Sequence, residues 1–183
     1  MVAIGVTGHR DIVHLKKVTS GVDKALRKIK ESFPDQNLTI ISPLAEGADR
    51  LVLWRARQNN DVQLIVPLPL EISEYMQDFN SMSSKAEFVT LLEQADQIFD
   101  LPAEKTREAS YQAAGLYVLD HSDVLIAVWD GQSARGAGGT GQIVAQAREK
   151  LMPITWVFSG DQDPHPQSIA GKTPGEVTFE NFP

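Results

Sequence analysis

The chain has 183 residues, 42% of them hydrophobic and 22% charged, with a net charge of -7 and no cysteine. Its length suits one domain with a full core, and the missing thiols exclude disulfides, a cysteine nucleophile and cysteine-ligated metal. The negative charge disfavours a broad nucleic-acid surface, and no apolar run reaches membrane-spanning length.

The first residues enter a strand pattern directly. They lack the basic start and cleavage site of a secretory signal, so a cytoplasmic protein without a membrane partner is expected. Val2 to Thr7 predicts a buried strand, followed at once by Gly8-His9-Arg10. Val18, Val22, Ala25, Leu26, Ile29 and Phe33 recur at helical spacing, predicting a helix from about Lys16 to Phe33 that Pro34 breaks. Leu38 to Ser42 predicts a second strand. Pro43-Leu44-Ala45-Glu46-Gly47-Ala48-Asp49 then leads into a helix ending near Gln58.

Val62 to Val66 predicts the third strand, which ends in Pro67-Leu68-Pro69. Glu71 to Ser84 is a polar stretch with one short helix, and its serines and methionines suggest mobility. Phe88, Leu91, Leu92 and Ala95 mark a helix, Gln97 to Leu101 a short strand, and Pro102 to Thr106 a loop. Tyr111, Ala114, Gly115, Val118 and Ser122 line one face of the next helix. Asp123 to Trp129 predicts a fifth strand. A glycine-rich loop, Asp130 to Gly141, follows it and opens a helix from Gln142 to Leu151, before a last strand, Ile154 to Phe158. Residues 160–183 are rich in proline and glycine, show no periodicity and are expected to form an irregular tail to a domain spanning 1–159.

Strands and helices alternate, and the strands are continuous apolar runs, as when both faces of a sheet are covered. The expected fold is therefore α/β: a doubly wound, mainly parallel, Rossmann-like sheet with helices on both faces. In such sheets ligands bind beyond the carboxyl ends of the strands. Here those ends carry Gly8-His9-Arg10, Glu46-Gly47-Ala48-Asp49, Pro67-Leu68-Pro69 and Asp130-Gly131.

Within the last of these, Gly138, Gly139, Thr140 and Gly141 lead into the helix, where unpaired amides and the positive dipole end attract a phosphate. Arg10 is the candidate clamp for that anion, because guanidinium pairs bidentately with it. His9 can donate to it or act as an acid. Glu46 and Asp49 can accept from ribose hydroxyls, or simply favour a helix start. Asp130 is a similar case, and Arg107 and Tyr111 are weaker candidates from a neighbouring helix. His9, His14, His121 and His165 lack paired metal-ligand spacing, so no metal is expected. No cofactor is named by the sequence.

Four separated segments carry a family resemblance. They are Val6-Thr7-Gly8-His9-Arg10, Leu44-Ala45-Glu46-Gly47-Ala48-Asp49-Arg50, Val124 to Gly131, and Gly138-Gly139-Thr140-Gly141. Together, across about Val2 to Phe158, they resemble the SLOG superfamily. It includes the DprA-like DNA-processing proteins and the LOG-type, lysine-decarboxylase-like phosphoribohydrolases, and the likeness is greatest to a bacterial branch with a Gly-His-Arg element after strand one. The resemblance implies a Rossmann-like fold that binds nucleotides or nucleotide-derived signals. The LOG-type relatives also imply a homodimer. Those enzymes carry a P-G-G-x-G-T-x-x-E loop, and this chain has Ala137 for the proline, Gln142 for the threonine and Ala145 for the catalytic glutamate.

An oxocarbenium-like transition state needs a nearby carboxylate, which Ala145 does not supply. Binding or sensing of a nucleotide-like small molecule is therefore the expected function. The alternative is an N-glycoside hydrolase acting on a nucleoside monophosphate or NAD-like ligand, with Glu46, Asp49 or Asp130 as its acid or nucleophile.

Overall fold

The computed structural model describes residues 1–58, 60–133, 138–160 and 171–182. Seven strands form one sheet: β1 (Val2–Gly8), β2 (Leu38–Ile41), β3 (Val62–Leu68), β4 (Gln97–Asp100), β5 (Val124–Trp129), β6 (Ile154–Phe158) and β7 (Val177–Glu180). Their spatial order is β4-β3-β2-β1-β5-β6-β7. Every neighbouring pair is parallel except β6 and β7.

The helices are α1 (Leu15–Ser32), α2 (Ala48–Arg57), α3 (Ile72–Tyr75), α4 (Met82–Glu93), α5 (Arg107–Asp120) and α6 (Thr140–Glu149). The chain first winds outward from β1 to β4. It then returns through α5 to place β5 against the other side of β1. The order reverses between β1 and β5, which makes their carboxyl ends the walls of a crevice.

Two apolar layers follow from strand alternation. Val124, Ile126 and Val128 of β5 join the core that contains the α1 stripe of Val18, Val22, Ala25 and Ile29. Leu125, Ala127 and Trp129 face the other way, with Ile143, Val144 and Ala147 of α6. Each fully buried aliphatic side chain in these layers contributes about 1.5–3 kcal/mol.

Two segments differ from the expectation. The polar stretch after β3 is anchored: Tyr75 is 1% exposed and Phe79 4% exposed, and both pack edge-on against Phe88 of α4. Its polar composition hides two aromatics that a tertiary partner buries. Residues 171–182 also depart from a structureless tail. Phe158 donates its N–H to the Glu176 carbonyl, Gly175 returns one to Phe158, and β7 then pairs antiparallel along the edge.

Candidate functional site

The register sets the crevice. Gly8 lies opposite Val128, so His9 and Asp130 leave adjacent strands at one level. The His9 N–H donates to the Val128 carbonyl at 3.0 Å. The backbone N–H of Asp130 lies 3.2 Å from His9 Nε2, and its carboxylate Oδ1 lies at the same distance from that nitrogen. Neutral at Nε2, the imidazole accepts from the amide; protonated there, it donates to the carboxylate. Asp130 Oδ1 also accepts from the Gln132 N–H at 3.0 Å, so this buried acid organises the first turn of the loop.

A cleft of about 290 Å³ opens here, walled by Gly8, His9, Arg10, Asp130, Gly139, Thr140 and Gly141 together with Trp129, Gln132 and Ser133. A second lobe of about 310 Å³ shares Gly8, Arg10, Gly139 and Thr140 with it and runs toward β2 and β3. Its inner wall adds Asp49, Tyr75, Tyr111 and Gly138. Arg10 therefore stands between two lobes. Its guanidinium lies 5.6 Å from the Tyr111 ring centre, and no carboxylate pairs with it among the described residues. The Tyr111 hydroxyl bonds to Asp78.

Gly139 caps α6 with φ -69° and ψ 156°. The Gly138 N–H is already taken by the Gln142 side chain at 2.9 Å, so the anion-facing amides are those that follow. Residues 134–137 of the glycine loop, and with them Gly136, lie outside the described residues, as does His165.

The predicted residues do not all share one role. Asp49 is 5% exposed, and its Oδ2 accepts from the Ser42 hydroxyl at 2.7 Å and the Ala45 N–H at 3.2 Å. Burial pushes its carboxyl up to about 6, against the lowering effect of those two hydrogen bonds and of the Arg10 and Arg50 charges. Glu46 turns away from the cleft wall: it accepts from the Asn80 N–H and side chain and from Ser84. It thus ties the β2–α2 turn to α4 alongside Arg50, which donates to the Leu44 carbonyl and to Glu87.

Gly47 and Gly131 are turn residues, at φ 77° and 80°, and are not in the walls of either lobe. Gly8 lines both lobes, but it is also packed: a Cβ there would lie 2.4 Å from Ala48 Cβ. Arg107 is committed to Glu74 and Asp78. The inner-wall residue that sequence reasoning missed is Tyr75, which sits in the stretch read as polar and mobile.

The raised Asp49 carboxyl has a measurable consequence. Its folded form binds the proton more tightly than the unfolded chain, so its stability contribution is full below about pH 4 and is lost as pH rises through about 6. Relative to Asp49→Asn, the wild-type protein should lose roughly 2 kcal/mol between pH 4 and pH 7. Paired denaturant titrations across that range check this. A difference that does not vary with pH would mean that the carboxyl ionises in its ordinary range.

No family description matches the chain in sequence, and no curated protein matches it. Among solved structures it is similar to DNA processing protein A (DprA) from Streptococcus pneumoniae, at TM-score 0.58 and 17% identity over 93% of this chain. The chain spans about half of that protein, 52% of its length. No described helix is long and apolar enough to cross a membrane. Strand order and this likeness agree: the chain has a doubly wound, Rossmann-type α/β fold like that of the DprA structure.

Proposed function

We propose that this protein binds a nucleotide-like small molecule in the two-lobed crevice between β1 and β5. The observation that carries this is the position of Arg10. Arg10 lines both lobes, forms no ion pair with a carboxylate among the described residues, and shares both walls with Gly139 and Thr140 at the α6 N-terminus. A cation facing unpaired helix amides is suited to a phosphate. The lobe beyond it has the tyrosine and proline walls that hold the organic part of a ligand, and pockets of a few hundred Å³ are usual for such ligands.

A thermal-shift screen with nucleoside mono- and diphosphates, NAD and ADP-ribose tests this. A ligand at about a hundred times its dissociation constant should add roughly 2.7 kcal/mol of stability. The structural neighbour's name ties that protein to DNA, so a short oligodeoxynucleotide belongs in the same screen. With a net charge of -7, this chain is expected to hold it no more tightly than a mononucleotide. Stabilisation by the oligonucleotide alone would replace the small-molecule reading.

One observation favours a second reading, N-glycoside hydrolysis. Asp49 lines the inner lobe and is held near 6 by burial, which suits a general acid at neutral pH. Release of free base from a bound nucleotide, lost in Asp49→Asn, would establish it. Stable binding without product keeps the site a sensor.

A further inference from the structure

Tyr75 presents an unused hydroxyl to the inner lobe. The side chain is 1% exposed and its ring is fixed by Phe79, Phe88 and Tyr111, at centroid distances of 5.1, 5.6 and 6.2 Å. Yet its hydroxyl has no hydrogen-bond partner among the described residues, although the residue lines the cleft. Arg50 Nη2 is the one fully buried side-chain polar atom left unpaired among the described residues, so the Tyr75 hydroxyl reaches the cleft, where a ligand group can pair with it. Beside it, Asp49 has committed Oδ2 to Ser42 and Ala45, while Oδ1 has no partner among the described residues. No hydrogen bond joins the two side chains, so each is open to a third group.

We propose that the Asp49 carboxyl and the Tyr75 hydroxyl together read a vicinal diol, so that the site takes ribosyl ligands and rejects deoxyribosyl ones. This rests on the nucleotide reading above. One sugar hydroxyl donates to Asp49 Oδ1, and its neighbour accepts from the Tyr75 phenol.

Three observations favour a sugar over a base edge at this place. Val6, Pro43, Ala45 and Pro69 give the lobe an aliphatic wall, which suits the carbon face of a sugar rather than a base edge. Both Asp49 and Tyr75 sit within the field of Arg10, which places the pair close to the phosphate clamp, as the sugar is in a nucleotide. A carboxyl that titrates near neutrality can pair with a hydroxyl in either protonation state, since a hydroxyl both donates and accepts.

The test is calorimetric titration of the full chain with AMP, GMP, CMP and UMP and with their 2′-deoxy and 3′-deoxy forms. For whichever base binds, loss of either hydroxyl should weaken binding about tenfold or more, as sites built around a substrate hydroxyl reject analogues lacking it. Tyr75→Phe keeps the ring contacts, so the unliganded melting temperature should not fall. It should weaken the ribonucleotide about tenfold and change one deoxy form little.

Equal affinity of wild type for ribo and deoxy forms overturns the diol pair and leaves the phosphate site standing. So does a Tyr75→Phe variant that binds the ribonucleotide as tightly as wild type. Should that variant fail to fold, the wild-type comparison decides alone. Failure of every nucleotide to bind removes both the diol pair and the phosphate site.

Discussion

Gly139→Asp should lose nucleotide binding by at least about a hundredfold, roughly 3 kcal/mol, while the unliganded protein becomes no less stable. The two effects have one cause. Gly139 is the cap residue of α6, with φ -69° and ψ 156°, a conformation open to any residue. Aspartate is a favoured cap there, because its carboxylate accepts from the second or third amide of the helix. That interaction, with the reduced freedom of the unfolded chain, can add up to about 1 kcal/mol of stability.

The same carboxylate then occupies the amides offered to the phosphate and repels its charge. A melting curve and a binding isotherm on one sample check both signs. If the variant binds wild-type amounts of nucleotide, the α6 N-terminus is not the phosphate site. Gly139→Ala is the control: it cannot act as an anion, so it should retain more binding than the aspartate.

The sheet was legible in the sequence because a parallel strand covered on both faces must be apolar throughout. Val124 to Trp129 is buried at every position, and its run of apolar residues says so directly. Convergence of the strand ends followed from the winding. Other features depend on partners distant in sequence, and no local pattern carries them. Tyr75 is buried by Phe79, Phe88 and Tyr111, so its surroundings read as polar. β7 is short, only partly buried, and held by the edge of β6. Glu46 and Asp49 share the same acidic signature at a helix start, yet their environments differ. Asn80 and Ser84 hold Glu46 outside the lobes, whereas Ser42 and Ala45 fix Asp49 on the inner wall. The glycines likewise divide: Gly139 and Gly141 line the crevice, while Gly47 belongs to the packing behind it.

Gly47→Ala is therefore expected to damage the site from behind. Gly47 precedes α2 at φ 77° and ψ -113°, a region that L-residues enter at a cost of about 1–3 kcal/mol. An added Cβ would also lie 2.1 Å from the Arg10 carbonyl oxygen and 2.4 Å from that of His9. The His9 oxygen cannot swing away freely: it accepts from the Ala48 N–H at 3.0 Å, and the His9 N–H is held by Val128. Overpacking against such atoms costs about another 1–3 kcal/mol, so the melting temperature should fall by about 10 °C.

Relief of the clash moves the His9-Arg10 backbone, so surviving folded protein should also bind nucleotide more weakly. Gly171→Ala separates strain from collision. Gly171 has φ 93°, but a Cβ there meets nothing within 4 Å among the described residues, so only the backbone term applies and binding should be untouched. If Gly47→Ala and Gly171→Ala cost the same and bind equally, the turn before α2 does not support Arg10, and the clamp must owe its position to β1 alone.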